Sequence, residues 1–460
     1  MDHPRKALII GVIAIALLAT ACGRSGSDSE TSSTTPSNAA AATCKDAKLE
    51  AVEIGVTSDT VTVQVMADVG SPLAPGLFQG NVDATKAWAK WVNDNGGLAC
   101  RQVKVEVWDS KLDPTEAKNG LINGCKTSLA LVGDNALFNP DTATIGNCPD
   151  KAGQASGIPN FVGLANDANE ACQPNTWNAQ SVSEICPSTL AGVRPFQGSP
   201  GYYQWLAKNL APNKEFFLIP GDLPTTVQSG MVIIEQQREG GIDVVGSAKI
   251  SGRAEQSTYL ANLNEANRLG ATTIYDGSNS AAMLKAQQEA KAQGVLDKYK
   301  WTGSLSIYDK TYTSADPSVT NGTYAGLNQL PWDEADRSEG LSAYITYIGG
   351  AGNADALGAN AFMAGIAFKE TVDRVVAAQG PNAITRANIV KEIPNTKSDF
   401  LGWIGQAKGG KDVMPCFMVI QIQNGSWKRI YPTEVGKLDC STANASKVTL
   451  DPQAAAANAK

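Results

Sequence analysis

The chain has 460 residues and carries 38 lysines and arginines against 45 aspartates and glutamates, a net charge of −7. Hydrophobic residues make up 43% and charged residues 18%, the composition of a globular protein long enough for two or three domains. The acidic balance excludes a nucleic-acid binder, which needs a basic face to displace counterions. The single histidine, His3, precedes an apolar run. If that run is removed, Ser-His-Asp and Cys-His catalysis and histidine-ligated metal sites are excluded as well.

Arg5 and Lys6 lead into an apolar stretch, Ala7–Ala21, which ends at Cys22. A membrane-spanning helix needs about 20 apolar residues, so residues 1–21 read as a cleaved signal peptide; a short uncut anchor is the alternative. Ala19-Thr20-Ala21-Cys22 resembles a bacterial lipobox, with Ala19 where leucine is usual. That resemblance implies lipidation of Cys22, a membrane attachment, and a position on the outer face of the cytoplasmic membrane or in the periplasm. Residues 22–44 are rich in Ser, Thr, Gly and Ala and predict a flexible tether. Eight cysteines remain: Cys44, Cys100, Cys125, Cys148, Cys172, Cys186, Cys416 and Cys440. An even count in an exported chain reads as disulfides, and the absence of C-x-x-C leaves redox and zinc-ribbon readings without support.

Downstream, strands and helices alternate. Ala51–Thr57 reads as a strand, Gly80–Gly97 as a helix, and Arg101–Ser110 as a strand with Val103, Val105 and Val107 on one side. Asp113 and Pro114 cap the next helix. Strands follow at Leu129–Asp134 and Gly157–Ala165, with a helix opened by Asn139 and Pro140 between them. A second array places strands at Glu215–Asp222, Ile242–Ile250, Thr272–Ser278 and Tyr299–Ser304. A helical stretch then runs from about Arg337 to Glu392, followed by two antiparallel strands joined at Asn424-Gly425, a hairpin signal. Alternation of this kind predicts an α/β protein of two doubly wound parallel-sheet lobes.

From about Lys48 to Pro432 the chain resembles the substrate-binding proteins of ABC importers, in particular the leucine/isoleucine/valine-binding family. The stretches that carry the likeness are "KAWAKWVNDNGGLACRQVKVEVWDSKLDPTEA", "GGIDVVGSAKISGRAEQSTYLANLNEANRLGATTIY", and "TRANIVKEI" followed by "PCFMVIQIQNGSWKRIYP". The resemblance implies a type I periplasmic-binding-protein fold with three crossovers, near Arg194–Gln197, Gln329–Trp332 and Thr396–Phe400. Lobe one is then 45–195 plus 332–397, lobe two 196–330 plus 398–440, and 441–460 a flexible tail. The same topology implies the pairs Cys44–Cys148, Cys100–Cys125, Cys172–Cys186 and Cys416–Cys440, with an exchange among the first four left open.

Ligands of such folds bind beyond the carboxyl ends of the strands, between the lobes. The candidate contacts are Asn135, Leu137, Ala165 and Asp167 in lobe one, Phe196 and Gln197 at the first crossover, and Asp222, Asp276 and Ser304 in lobe two. Trp332, Tyr202 and Tyr203 are candidates for stacking surface or for packing. Leu137 and Asp167 stand where the family's amino-acid binders place hydroxyl residues, which argues against a plain branched-chain amino acid; Asp222 and Asp276 remain to hold a cation. No cofactor, metal or catalytic group is expected. The implied partners are a small polar solute, amino-acid-like or amide-like, and the permease subunits of an ABC importer, served by a monomer. A ligand sensor of the same fold, signalling through a membrane partner, is the other reading.

Overall fold

Alternating β-branched residues make Thr60–Ala67 (β1) the first strand. The computed structural model describes Cys44 and residues 47–72, 75–139, 142–165, 168–180, 194–222 and 224–450. The expected signal peptide, Cys22, Asp167 and Cys186 lie outside the described residues. The expected strand at Ala51–Thr57 is instead a turn joined to β1 by one bridge, Val56 to Val61. Both segments alternate, but only Thr60–Ala67 finds neighbours on two sides.

The first sheet is five-stranded and parallel, in the order β2-β1-β3-β4-β5, with β2 Gln102–Asp109, β3 Ala130–Asp134, β4 Asn160–Val162 and β5 Thr176–Asn178. Of the longer helices, α1 Gln79–Asp94 and α2 Pro114–Thr127 connect its strands. Asp113 caps α2 as expected, its carboxylate accepting from the N–H groups of Thr115 and Glu116 at 2.7 and 2.9 Å. The second sheet is seven-stranded, β15-β14-β11-β10-β9-β7-β8. Its parallel strands are β7 Lys214–Pro220, β8 Asp243–Ile250, β9 Thr273–Asp276, β10 Lys300–Gly303 and β11 Tyr324–Leu327. The antiparallel hairpin β14 Met418–Gln423 and β15 Ser426–Tyr431 closes one edge. Its turn is Asn424-Gly425 with φ of 53° and 73°, the left-handed pair that a two-residue hairpin requires.

Helices α3 Gly201–Asn209 and α4 Pro224–Glu239 cover one face of the second sheet, and α5 Tyr259–Arg268 and α6 Ser280–Ala292 the other. Helices α7 Glu339–Tyr347 and α8 Ala356–Gln379 return to lobe one. A Cβ on Gly365 of α8 would lie 2.5 Å from the Trp88 ring, so the glycine lets α8 pack closely on α1. The result is two doubly wound lobes.

The chain passes between the lobes three times. Ala179 belongs to the first core and Tyr202 to the second; the strand β6 Arg194–Gly198 lies between them. Leu327 belongs to the second core and Leu330 to the first. The third crossing differs from the expected Thr396–Phe400. Phe400, Trp403, Ile404, Met414 and Cys416 are still buried in the first core, and Phe417 and Met418 are the first residues in lobe two. A small hairpin, β12 Lys397–Ser398 with β13 Lys408–Gly409, holds this excursion down. Lys408 is buried beneath it, donating to the Asn178 carbonyl at 2.6 Å and lying 4.8 Å over the Trp177 ring. Burial lowers its ammonium to about 7. The expected flexible tail is also corrected for residues 442–450: Ser446–Leu450 (β16) pairs antiparallel with β6.

Two disulfide pairs differ from expectation. The bonds are Cys44–Cys100 and Cys125–Cys148, not Cys44–Cys148 and Cys100–Cys125. The strand order explains this. β2 is the edge strand, and α2 carries the chain over β1 to β3, so Cys125 in its last turn ends far from Cys100 at the start of β2. It meets instead Cys148, just past the helix Thr142–Asn147. Cys416–Cys440 forms as expected, and Cys172 is disulfide-bonded.

Aromatic rings join the two cores. Trp332, just after the second crossing, stacks on Tyr308 of lobe two at 4.8 Å and 26°. Its backbone N–H donates to the Tyr308 hydroxyl at 2.8 Å. On the other side it lies 5.7 Å from Tyr344 and 6.3 Å from Trp403, both in the first core. Trp332 is therefore a junction residue that packs against both cores. Within lobe two, Glu215 of β7 is wholly buried. Burial pushes its carboxyl up to about 8, opposed by a hydrogen bond from the Thr302 hydroxyl at 3.5 Å.

Two outcomes are expected. Trp332→Ala should lower the unfolding free energy by about 3 kcal/mol in urea titrations, with Trp332→Phe recovering more than half. Glu215 keeps its proton in the folded chain between the unfolded value of 4.5 and about 8. Its contribution is therefore present in full below pH 4.5 and is lost as pH rises through 8. Glu215→Gln should lose about 3 kcal/mol less stability than the parent between pH 5 and pH 8.

Candidate functional site

The carboxyl ends of both sheets converge at the junction. The turn Leu305–Ile307 after β10 packs against α8, whose start lies beside the ends of β3 and β4. Lys310 of lobe two joins Asp83, Lys86 and Tyr347 of lobe one around a pocket of about 490 Å³. That pocket lies between α1, the end of α7 and Lys310, so the two lobes face each other there.

In lobe one the strand ends are braced by carboxylates. Asp68, the residue after β1, accepts from the Ser110 hydroxyl at 2.6 Å, the Leu112 N–H at 2.7 Å and the Leu137 N–H at 2.8 Å. One side chain so fixes the loops that follow β1, β2 and β3. Asp109 accepts from the N–H groups of Val69, Gly70 and Lys111 at 2.9–3.0 Å. Burial opposes its charge, but these three donors hold its carboxyl below the usual range. Asp134 is buried and accepts from the Met66 N–H at 2.7 Å; burial pushes its carboxyl well up.

Each expected contact has a definite place. Asn135 is buried directly after β3, bridged to Ala67. Leu137 is buried with Val65, Phe78 and Val82, so its side chain serves the core where a hydroxyl was the family's choice. Ala165 is half-buried beyond β4. Phe196 and Gln197 lie in β6, their backbones paired with Val448 and Lys447. Asp222 braces the end of β8, accepting from the Ser251 hydroxyl at 2.6 Å and the Gly252 N–H at 2.7 Å. Ser304 accepts from the Ser306 N–H at 3.3 Å and caps the 305–307 turn. Tyr202 and Tyr203 are buried in the second-lobe core.

Asp276 differs from Asp222. It is wholly buried at the end of β9, with Oδ1 accepting from the Ser278 N–H at 2.7 Å and Oδ2 without a partner. Burial raises its carboxyl to about 7. The Tyr259 hydroxyl, within electrostatic reach of it, is also buried and unpartnered.

Several polar groups near the strand ends escaped sequence reasoning. Asn81 Oδ1, in the first turn of α1, and Asn360 Nδ2, in the second turn of α8, are buried without partners, and so is Gln329 Nε2 just past β11. The Asn81 amide donates to the Gly133 carbonyl at 3.2 Å, which places it at the end of β3. The signal for Asn81 was present, since it opens the helix after the first strand. Assigning that strand to Ala51–Thr57 hid the loop between them. Amides and carboxyls with free hydrogen-bonding capacity can hold a polar solute. Among the described residues no cluster of three or more His, Cys, Asp or Glu could hold a metal ion.

Comparisons with known proteins agree with this geometry. A profile of the periplasmic binding protein family matches residues 60–426. A leucine-binding protein from Thermotoga maritima superposes with a TM-score of 0.60 at 13% identity, covering 80% of this chain and 97% of that one. A fatty acid ABC transporter substrate-binding protein from Thermomonospora curvata gives 0.62 at 14%, covering 85% and 95%. An ABC transporter solute-binding protein from R. palustris in complex with benzoate gives 0.60 at 14%, covering 84% and 98%. No curated protein matches the sequence significantly. No helix among the described residues is long and apolar enough to cross a membrane. With more than half of its length matched, in the lobes and strand order described above, the chain belongs to the periplasmic binding protein family, a family of extracytoplasmic binding proteins and not of enzymes.

Proposed function

We propose that the chain is the solute-binding component of an ABC importer, capturing a small polar solute, amino-acid-like or amide-like, between its lobes and delivering it to a membrane permease. The observation that carries this reading is the set of buried, unpartnered polar groups at the strand ends of both lobes, Asn81, Asn360 and Gln329 with Asp276. A buried polar group without a partner is unfavourable, and a solute that supplies the missing bonds is bound for the same reason. The neighbours named for leucine, fatty acid and benzoate span very different chemistries, so the choice of an amide- or amine-bearing solute rests on the side chains of this chain. Asn135, Ala165, Asp167, Phe196, Gln197 and Ser304 belong to the proposed contact set through their positions, and Asp222 through its exposed carboxylate. The lobe limits that go with it are 45–195 plus 332–416 and 196–330 plus 417–440. Export by residues 1–21 and lipidation of Cys22 complete the proposal.

A thermal-shift screen of the mature chain against amino acids, amides, polyamines, organic acids and aromatic acids tests the capture. An amine- or amide-bearing solute should raise the melting temperature by several degrees at saturating concentration. Asp276→Asn should weaken binding of amines at least about tenfold, because an amide cannot ionise to pair with an ammonium. Shifts confined to aromatic or fatty acids would overturn the solute class. Metabolic labelling with a palmitate analogue should mark the full chain and not Cys22→Ser.

A further inference from the structure

The segment that ends the second sheet runs on across the hinge. Arg429 of β15 grips Glu334, just past the second crossing, with Nε to Oε1 at 2.6 Å and Nη2 to Oε2 at 2.5 Å. The two side chains are 8% and 7% exposed, so this is a buried, two-pronged ion pair. The Gly436 N–H donates to the same Oε2 at 2.7 Å. Leu438 then packs against both cores.

The third crossing comes next. Asp439 and Phe417 exchange backbone hydrogen bonds at 2.9 Å in both directions, and Cys440 is bonded to Cys416. The Tyr431 hydroxyl donates to Asp439 Oδ2 at 2.6 Å, and the Asn444 amide donates to the Asp439 carbonyl at 3.0 Å. Asn444 also meets the start of α3: a Cβ on Gly201 would lie 2.8 Å from Phe417 and 2.9 Å from Asn444. Finally β16 pairs with β6, from Ser446 opposite Gly198 to Leu450 opposite Arg194, where the first crossing enters lobe two beside α4. One short stretch of chain therefore holds the second, third and first crossings in turn. The family profile ends at residue 426, ahead of all these contacts.

We propose that residues 429–450 form a belt around the hinge that limits how far the two lobes swing apart. Hinge motion is absorbed by dihedral changes in the crossing strands. A segment bonded to all three crossings must deform whenever they separate, and its bonds oppose that separation. Restricting the widest open states enlarges the fraction of molecules near closure, which tightens binding of any solute that selects the closed form. The belt stands on contacts within the chain itself and is independent of which solute is carried.

The experiment uses the mature chain without ligand. In Lys447→Pro/Val448→Pro two consecutive N–H groups are lost; neighbours in a strand face opposite ways, so at least one ladder donor goes. Cys416→Ser/Cys440→Ser removes the second fastening without touching the ladder. Amide exchange read by mass spectrometry should accelerate at least about tenfold at residues 194–201 and 414–418 in either variant, with the centres of β3 and β9 unchanged. Small-angle scattering should show a larger radius of gyration. Faster exchange confined to residues 440–450 with unchanged scattering overturns the belt. So does exchange that rises throughout both lobes in both variants, which would make the segment a requirement of folding instead of a limit on motion.

Discussion

Two separately wound sheets share one junction, and the indole of Trp332 occupies it. Its stacking on Tyr308 and its contacts with Tyr344 and Trp403 make a single aromatic path from one core to the other. Stacked rings resist separation but tolerate sliding, because the attraction depends on overlap more than on a fixed angle. The N–H bond from Trp332 to the Tyr308 hydroxyl pins one end of that path.

The cleft above this pivot shows a division of labour among its polar groups. Asp68 and Asp109 are committed to backbone and hydroxyl donors of neighbouring loops. They give the loops their shape and have little left for a solute. Asp276, Asn81, Asn360 and Gln329 are buried with capacity unused. A rigid frame carrying unsatisfied groups is what pre-organised binding requires, since the frame removes the entropy of ordering and the free groups supply the contacts.

Local features were legible in the sequence. The Asp113 cap and the Asn424-Gly425 turn depend on residues a few positions apart, and both appear as read. The lobes were legible through the periodicity of their strands. What escaped depends on distant partners. β5 and β12 are two or three residues long, too short for any period. β16 is a strand only because β6 lies beside it, far back in the chain. Phe400 and Trp403 looked like the start of lobe two until the hairpin of β12 and β13 folded them onto the first core. The brace at Asp68 joins three loops that no local pattern brings together. For the cysteines, order along the chain was a poor guide, because a doubly wound sheet places β2 at the edge and sends its helix to the far side of β1.

The bond between Cys44 and Cys100 has a mechanical consequence. Cys100 stands at the start of β2, in lobe one, at the opposite end of the strands from the cleft. A pull on the chain ahead of Cys44 is delivered to that point as tension through covalent bonds, and Arg101 beside it spreads the load by donating to the carbonyls of Glu50, Thr57 and Pro381. Force arriving from the N-terminal side is therefore taken up by lobe one, at the end of the strands away from the junction.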